Sequence, residues 1–215
     1  MNLRKITTLL LCSLVLVACT RGQGIYLQSY TPKGQTIENF MVCHRFGCNE
    51  RTPIELSEKD WLPIQKILKG KPSSAEQERK DIAKAISKME EVVLSISGLP
   101  GDGPRAHTFE NDRGQMDCLD ETVNTSLALQ FFDQADLLDY HEVYDPIHRG
   151  YFIDGRWPHN SAAIYEKVSD DKTSNANNSR KSSKKIFAVD SYYTGSGGEV
   201  YIVPLDEWLA GWQPE

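Results

Sequence analysis

The sequence predicts an α+β domain, with N-terminal helices packed on an antiparallel sheet, and three observations lead there. Apolar residues recur at helical spacing through the first half of the body and give way to short β-branched and aromatic runs in the second. Helices gathered first and strands afterwards exclude the alternating order that builds a parallel sheet. A chain of 215 residues with 40% hydrophobic side chains supports one sizeable core and too little for two.

The N-terminus reads as an export signal. Arg4 and Lys5 precede an apolar run from Ile6 to Val17, shorter than the about 20 residues that span a bilayer. The run ends in Leu16-Val17-Ala18-Cys19, which resembles the lipobox of bacterial lipoproteins. That resemblance implies cleavage after residue 18 and a diacylglycerol on Cys19. Thr20 replaces the Asp that retains such proteins at the inner membrane, so the expected residence is the outer membrane, facing the periplasm. Losing Arg4 and Lys5 leaves 22 basic against 30 acidic side chains. So acidic a body excludes nucleic acid as a partner and leaves the lipid as the membrane contact.

Residues 19–38, rich in Gly, Gln, Thr, Lys and Pro, read as a flexible tether, and 39–215 as a single domain. Residues 39–48 suit a strand and turn. Ser57 opens a helix to Leu68. Ser73 or Ser74, with Glu76 or Gln77, offers a capping box for the next, which carries Ile82, Ile86, Met89, Val93 and Ile96 on one face and stops at Gly98. After a loop to Gly114, Asp117 or Cys118 starts a helix striped by Leu119, Val123, Leu127 and Phe131. A short helical segment is expected over 135–140. Strands follow over 141–144, 151–153, 162–168, 186–193 and 200–203. The polar stretch 169–184 has no large apolar residue and reads as a loop joining antiparallel strands.

The chemistry centres on Cys118. A helix N-terminus presents unpaired N–H groups and partial positive charge, which favour a thiolate and can hold an oxyanion. Asp117, Asp120 and Glu121 oppose this with like charge. His159 lies just before one expected strand and Asp190 near the end of its neighbour. A hairpin would bring them together as general base and orienting carboxylate.

Asp117-Cys118-Leu119-Asp120-Glu121, Gly155-Arg156-Trp157-Pro158-His159 and Ala188-Val189-Asp190-Ser191 resemble the transglutaminase-like branch of papain-type cysteine hydrolases, over roughly residues 116–208. They look closest to an uncharacterised proteobacterial family of transglutaminase-like proteins. The resemblance implies a transglutaminase-like core in which Cys118 is nucleophile, His159 general base and Asp190 its orienter, with Gln115 a candidate oxyanion donor. It implies a peptidase, amidase or acyl transferase acting on an envelope protein or peptide, without metal or organic cofactor. The alternative is an inactive module that binds a peptide or protein partner in the same cleft.

Cys43 and Cys48, with Gly47 between them, suit a local disulfide in an exported chain. A metal site on Cys43, His44 and Cys48 lacks a fourth ligand nearby, and pairing of either Cys with Cys118 stays open. His107, His141 and His148 read as surface residues. Trp157, Trp208 and Trp212 read as core or rim packing, or as cleft walls. The basic run 180–185 reads as a solvated loop.

Overall fold

The computed structural model describes residues 30, 34–105, 113–150, 157–167 and 185–215. The expected signal, Cys19, most of the tether, His107, the strand over 151–153 and the polar stretch 169–184 lie outside the described residues. Among the described residues, no helix is long and apolar enough to cross a membrane.

The architecture is α+β, with two antiparallel sheets and four helices. Strand β1 (Phe40–His44) pairs with β2 (Glu50–Ile54) as a hairpin. The sequence reading missed β2, because Glu-Arg-Thr-Pro-Ile has two charges and a Pro. A Pro is tolerated in a strand at an edge, and both strands of a two-stranded sheet are edges.

Helix α1 (Glu58–Leu68) begins at Ser57 with a complete capping box, Asp60 answering the N-cap. Helix α2 (Ala75–Ser97) begins at Ser74, whose side chain accepts from the Gln77 N–H at 3.1 Å. It ends at Gly98, whose φ of 64° is the left-handed stop that glycine adopts freely.

Helix α3 (Cys118–Gln134) departs from the expected single apolar stripe. Leu119, Val123, Leu127 and Phe131 are buried, but so are Asp120, Glu121, Thr122, Thr125, Ser126 and Phe132. The helix is enclosed nearly all round; Asp120, Glu121, Thr122 and Thr125 find partners inside the protein, while the buried Ser126 hydroxyl has none among the described residues. Such a helix holds a rigid tip.

The segment over 135–140 forms a turn instead of the expected helix. Asp136 takes φ of 54°, and the buried Glu78 carboxylate captures the N–H groups of Asp139 and Tyr140. Both features divert the chain before another helical turn can close.

The main sheet runs β3 (His141–Arg149), β4 (His159–Glu166), β5 (Ile186–Asp190) and β6 (Tyr201–Pro204), in that order and antiparallel throughout. Strand β3 is longer than expected because it continues past Asp145-Pro146, with a register irregularity between Tyr144 and Ile147. Alternation divides the sheet. Ala162, Ile164, Phe187 and Val189 join the core that α1, α2 and α3 fill. Ala188 and Val203 face the other way, under Trp208 of the short helix α4 (Leu205–Leu209), which was not anticipated. Five residues are too few for a periodic signal.

Candidate functional site

The Cys118 helix start is fastened from outside by the β1–β2 turn. Arg45, Phe46, Gly47 and Cys48 all have positive φ, so this turn curls left-handed over four successive residues. A disulfide joins Cys43 to Cys48 across it. The N–H groups of the turn point at α3: Gly47 donates to Asp117 Oδ2 at 2.9 Å and Cys48 to Asp120 Oδ1 at 2.6 Å. Asp117 is the N-cap. It accepts from the Leu119 and Asp120 N–H groups, both at 3.0 Å, and Asp120 answers from the other side of a capping box. Six such bonds, counting Arg45 N–H to the Gln115 carbonyl at 2.7 Å and Asp120 Oδ2 from Asp117 N–H at 3.1 Å, fix where the Cys118 Cα sits.

Cys118 is the one free thiol among the described residues. The groups that reach its sulfur belong to Asn160, whose side-chain amide donates at 3.8 Å. The Asn160 backbone also bonds to it. The expectation of a thiolate favoured by the helix end is not met at rest. Burial pushes the thiol up to about 11, with the charges of Asp117 and Asp190 adding to it and the two Asn160 contacts opposing.

His159 is the first residue of β4 rather than a residue before the strand. Register places Ala162 opposite Val189, which brings Asp190 within diagonal reach of His159 on the same face. Nε2 of His159 lies 2.8 Å from Asp190 Oδ2. The Trp208 indole N–H donates to that same oxygen at 2.8 Å. His159 and Asp190 are 6% and 2% exposed, so the pair is shielded from water. Tyr192, Tyr193 and Trp208 pack around the imidazole with ring centroids 5.0 to 5.6 Å away. With Nε2 committed to Asp190, Nδ1 is the nitrogen left for proton transfer.

Cys118 and His159 line one cavity of about 420 Å³, together with Arg105, Arg149, Trp157 and Tyr193. No direct hydrogen bond joins sulfur and imidazole. The sulfur meets β4 at Asn160, one residue beyond His159. No family model, curated sequence or solved structure matches this chain. The reading of the site therefore rests on its own geometry.

Gln115 is not placed as an oxyanion donor. Its side-chain amide donates to the Gly101 carbonyl at 3.3 Å, away from the sulfur. Asn160, not Gln115, turns its side-chain amide to the Cys118 sulfur. Its own oxygen lies 2.9 Å from His148 Nδ1, and His148 Nε2 is 2.8 Å from the Gly150 carbonyl. His148 is thus a half-buried support of Asn160 instead of a surface residue. His141 is fully buried, with Nδ1 2.6 Å from Glu78 and Nε2 3.2 Å from Arg79. Neither role shows in the sequence, because nothing local marks the distant partner.

Around the far side of α3 sits a set of buried carboxyls. Glu121 accepts from Ser191 Oγ at 2.7 Å, and Glu90 from the Gly197 N–H at 2.9 Å. Burial raises Glu121 well above its ordinary value, with Glu90 and Asp102 adding repulsion. Burial likewise lifts Glu90 to about 8, and Asp102 and Asp120 each to about 7. The Asp102 loop comes so close to the 195–198 turn that a side chain at Gly195 would meet the Asp102 carbonyl at 2.7 Å. Ligand atoms of Cys43, Cys48 and Asp120 fall within 4.8 Å of one another, but the two sulfurs are bonded together and offer no thiolate to a metal. His44 turns Nε2 to Thr52 Oγ1 at 2.9 Å instead of toward the sulfurs.

Proposed function

We propose that this chain is a cell-envelope cysteine hydrolase of transglutaminase-like, papain-type architecture, with Cys118 as nucleophile, His159 as general base and Asp190 as its orienter. The observation that carries the reading is the buried His159–Asp190 pair opening onto the same cavity as the free thiol. Asp190 fixes the ring with Nε2 inward and stabilises the imidazolium when it forms. His159 Nδ1 takes the Cys118 proton as sulfur bonds to an amide or ester carbonyl carbon. The tetrahedral oxyanion is held by the Asn160 amide, since Asp117 already takes the Leu119 and Asp120 N–H groups at the start of α3. The C–N or C–O bond then breaks, and His159 returns the proton to the leaving amine or alcohol. Water, or an amine, attacks the thioester. His159 takes its proton, and cleavage of the C–S bond restores the Cys118 thiol.

The substrate class, a peptide or amide of the envelope, rests on the N-terminal signal and the predicted lipid on Cys19, with residence at the outer membrane facing the periplasm. The test is acylation by an N-acetylated amino-acid p-nitrophenyl ester, followed by intact mass. One acyl group on Cys118 is expected, and none in Cys118→Ala. A second reading, a non-catalytic module that binds an envelope peptide, is favoured by the raised thiol and the missing sulfur–imidazole bond. It predicts ester hydrolysis no faster in the native protein than in Cys118→Ala.

A further inference from the structure

The cavity beside Cys118 is cationic in a way that the proposed chemistry does not use. Among the described residues, no Asp or Glu lines it, and neither Arg105 nor Arg149 makes an ion pair. Arg149 is the register partner of His159 across β3 and β4. Its guanidinium stacks over Trp208 at 4.5 Å and donates to the Trp208 and Trp212 carbonyls and to the Tyr193 hydroxyl. These neutral acceptors hold the fork in place without an ion pair, while the Asp190 carboxylate that also acts on Tyr193 is held by His159 and Trp208. Arg105 reaches the other side of the same phenol, 5.3 Å over the Tyr193 ring. Two cations thus converge on Tyr193, whose ring is 5.6 Å from the His159 imidazole.

We infer that the cavity binds an acyl donor that carries a carboxylate close to the carbonyl under attack, with Arg105 and Arg149 as its specificity-determining contacts. This rests on the hydrolase reading above. A peptide supplies that anion in two ways, as its own C-terminus or as an acidic side chain, and both present the flat fork that a guanidinium matches. Trp157, 75% exposed on the cavity rim, offers an apolar wall for whatever flanks the charge.

Iodoacetate and iodoacetamide deliver nearly the same alkyl group to a thiol and differ by one negative charge. Measured against the same pair on neutral 2-mercaptoethanol, Cys118 should prefer iodoacetate by about fivefold or more. The preference should persist in Arg149→Lys and vanish in Arg105→Gln and Arg149→Gln. Arg105 is exposed, so its variant keeps the test open even where Arg149→Gln disturbs the C-terminal carbonyls it ties down. N-acetylated trialanine with a free carboxylate, but not its C-terminal amide, should slow iodoacetamide labelling. Protection only by an amidated peptide containing Asp assigns the carboxylate to a side chain. A ratio no higher than that of 2-mercaptoethanol, or one that survives both Gln variants, overturns the carboxylate site and leaves the Cys118 chemistry standing. Failure of both reagents to label Cys118 overturns the hydrolase reading and this inference together.

Discussion

Two buried histidines of this protein each hold a carboxylate, and they do different work. His141 faces Glu78 at 2.6 Å and His159 faces Asp190 at 2.8 Å, both shielded from water. At His141 both ring nitrogens are engaged, the second by Arg79, and Glu78 also caps the Asp139 and Tyr140 N–H groups. No reacting group is near. At His159 one nitrogen is committed and the other is left at a cavity that holds a thiol. A buried His–carboxylate pair is therefore not a sign of catalysis in itself. The second nitrogen without a protein partner and the cavity beside it are what distinguish the pair proposed to act from the structural one.

The comparison is broken most sharply by deleting each imidazole. His159→Ala should slow acylation of Cys118 by about 10²–10⁴-fold in protein that a urea titration shows to be folded, though less stable because the buried Asp190 loses a partner. Its mirror is Glu78→Ala, which strands two backbone N–H donors and the His141 ring in the interior. That change should cost about 3–5 kcal/mol in the urea midpoint while folded protein still acylates at the native rate. A smaller effect is expected at Trp208→Phe, which removes one of two donors to Asp190 Oδ2 and should slow acylation by about tenfold.

The smallest effect concerns pH. Glu78 is pushed up by burial, but the His141, Tyr140 and Asp139 bonds bring it below its ordinary 4.5, so its stabilisation is present above that value and lost as pH falls. Glu121, Asp102 and Asp120 behave oppositely. Their folded values are raised, so the stability they confer is full below about pH 4 and is lost as pH rises, through about 7 for Asp102 and Asp120. Glu121→Gln, which keeps an acceptor for Ser191, should raise the melting temperature at pH 8 by about 2–4 °C for each kcal/mol recovered, and hardly at all at pH 4. An equal shift at both values would show that the carboxyl is not the cause.

Much of this was legible from the chain. Ser57, Ser74, Gly98 and Asp117 are local signals, and each marks a helix end where expected. Cys118, His159 and Asp190 could be picked out because helix tip, strand start and strand end follow from periodicity and hairpin order. What stayed hidden depends on contacts far apart in sequence. Asn160 reads as an ordinary polar residue until Cys118, 42 positions earlier, is beside it. Trp208 gains its role from Asp190, and His141 from Glu78. Gln115, a candidate oxyanion donor only through the family resemblance, has its backbone carbonyl held by Arg45 and its side chain turned to Gly101. Helix α3 looked one-sided because only its apolar stripe has a period; its buried carboxyls carry no pattern.

The central claim is that His159 serves the Cys118 sulfur, and the pH dependence of iodoacetamide labelling tests it most directly. A thiol left to itself at about 11 should react about tenfold faster for each pH unit up to pH 9 and beyond. The account predicts that climb for His159→Ala alone. Native protein should already label at pH 7 and change by less than about threefold between pH 7 and 9. Superimposable profiles, both rising tenfold per unit, would contradict it.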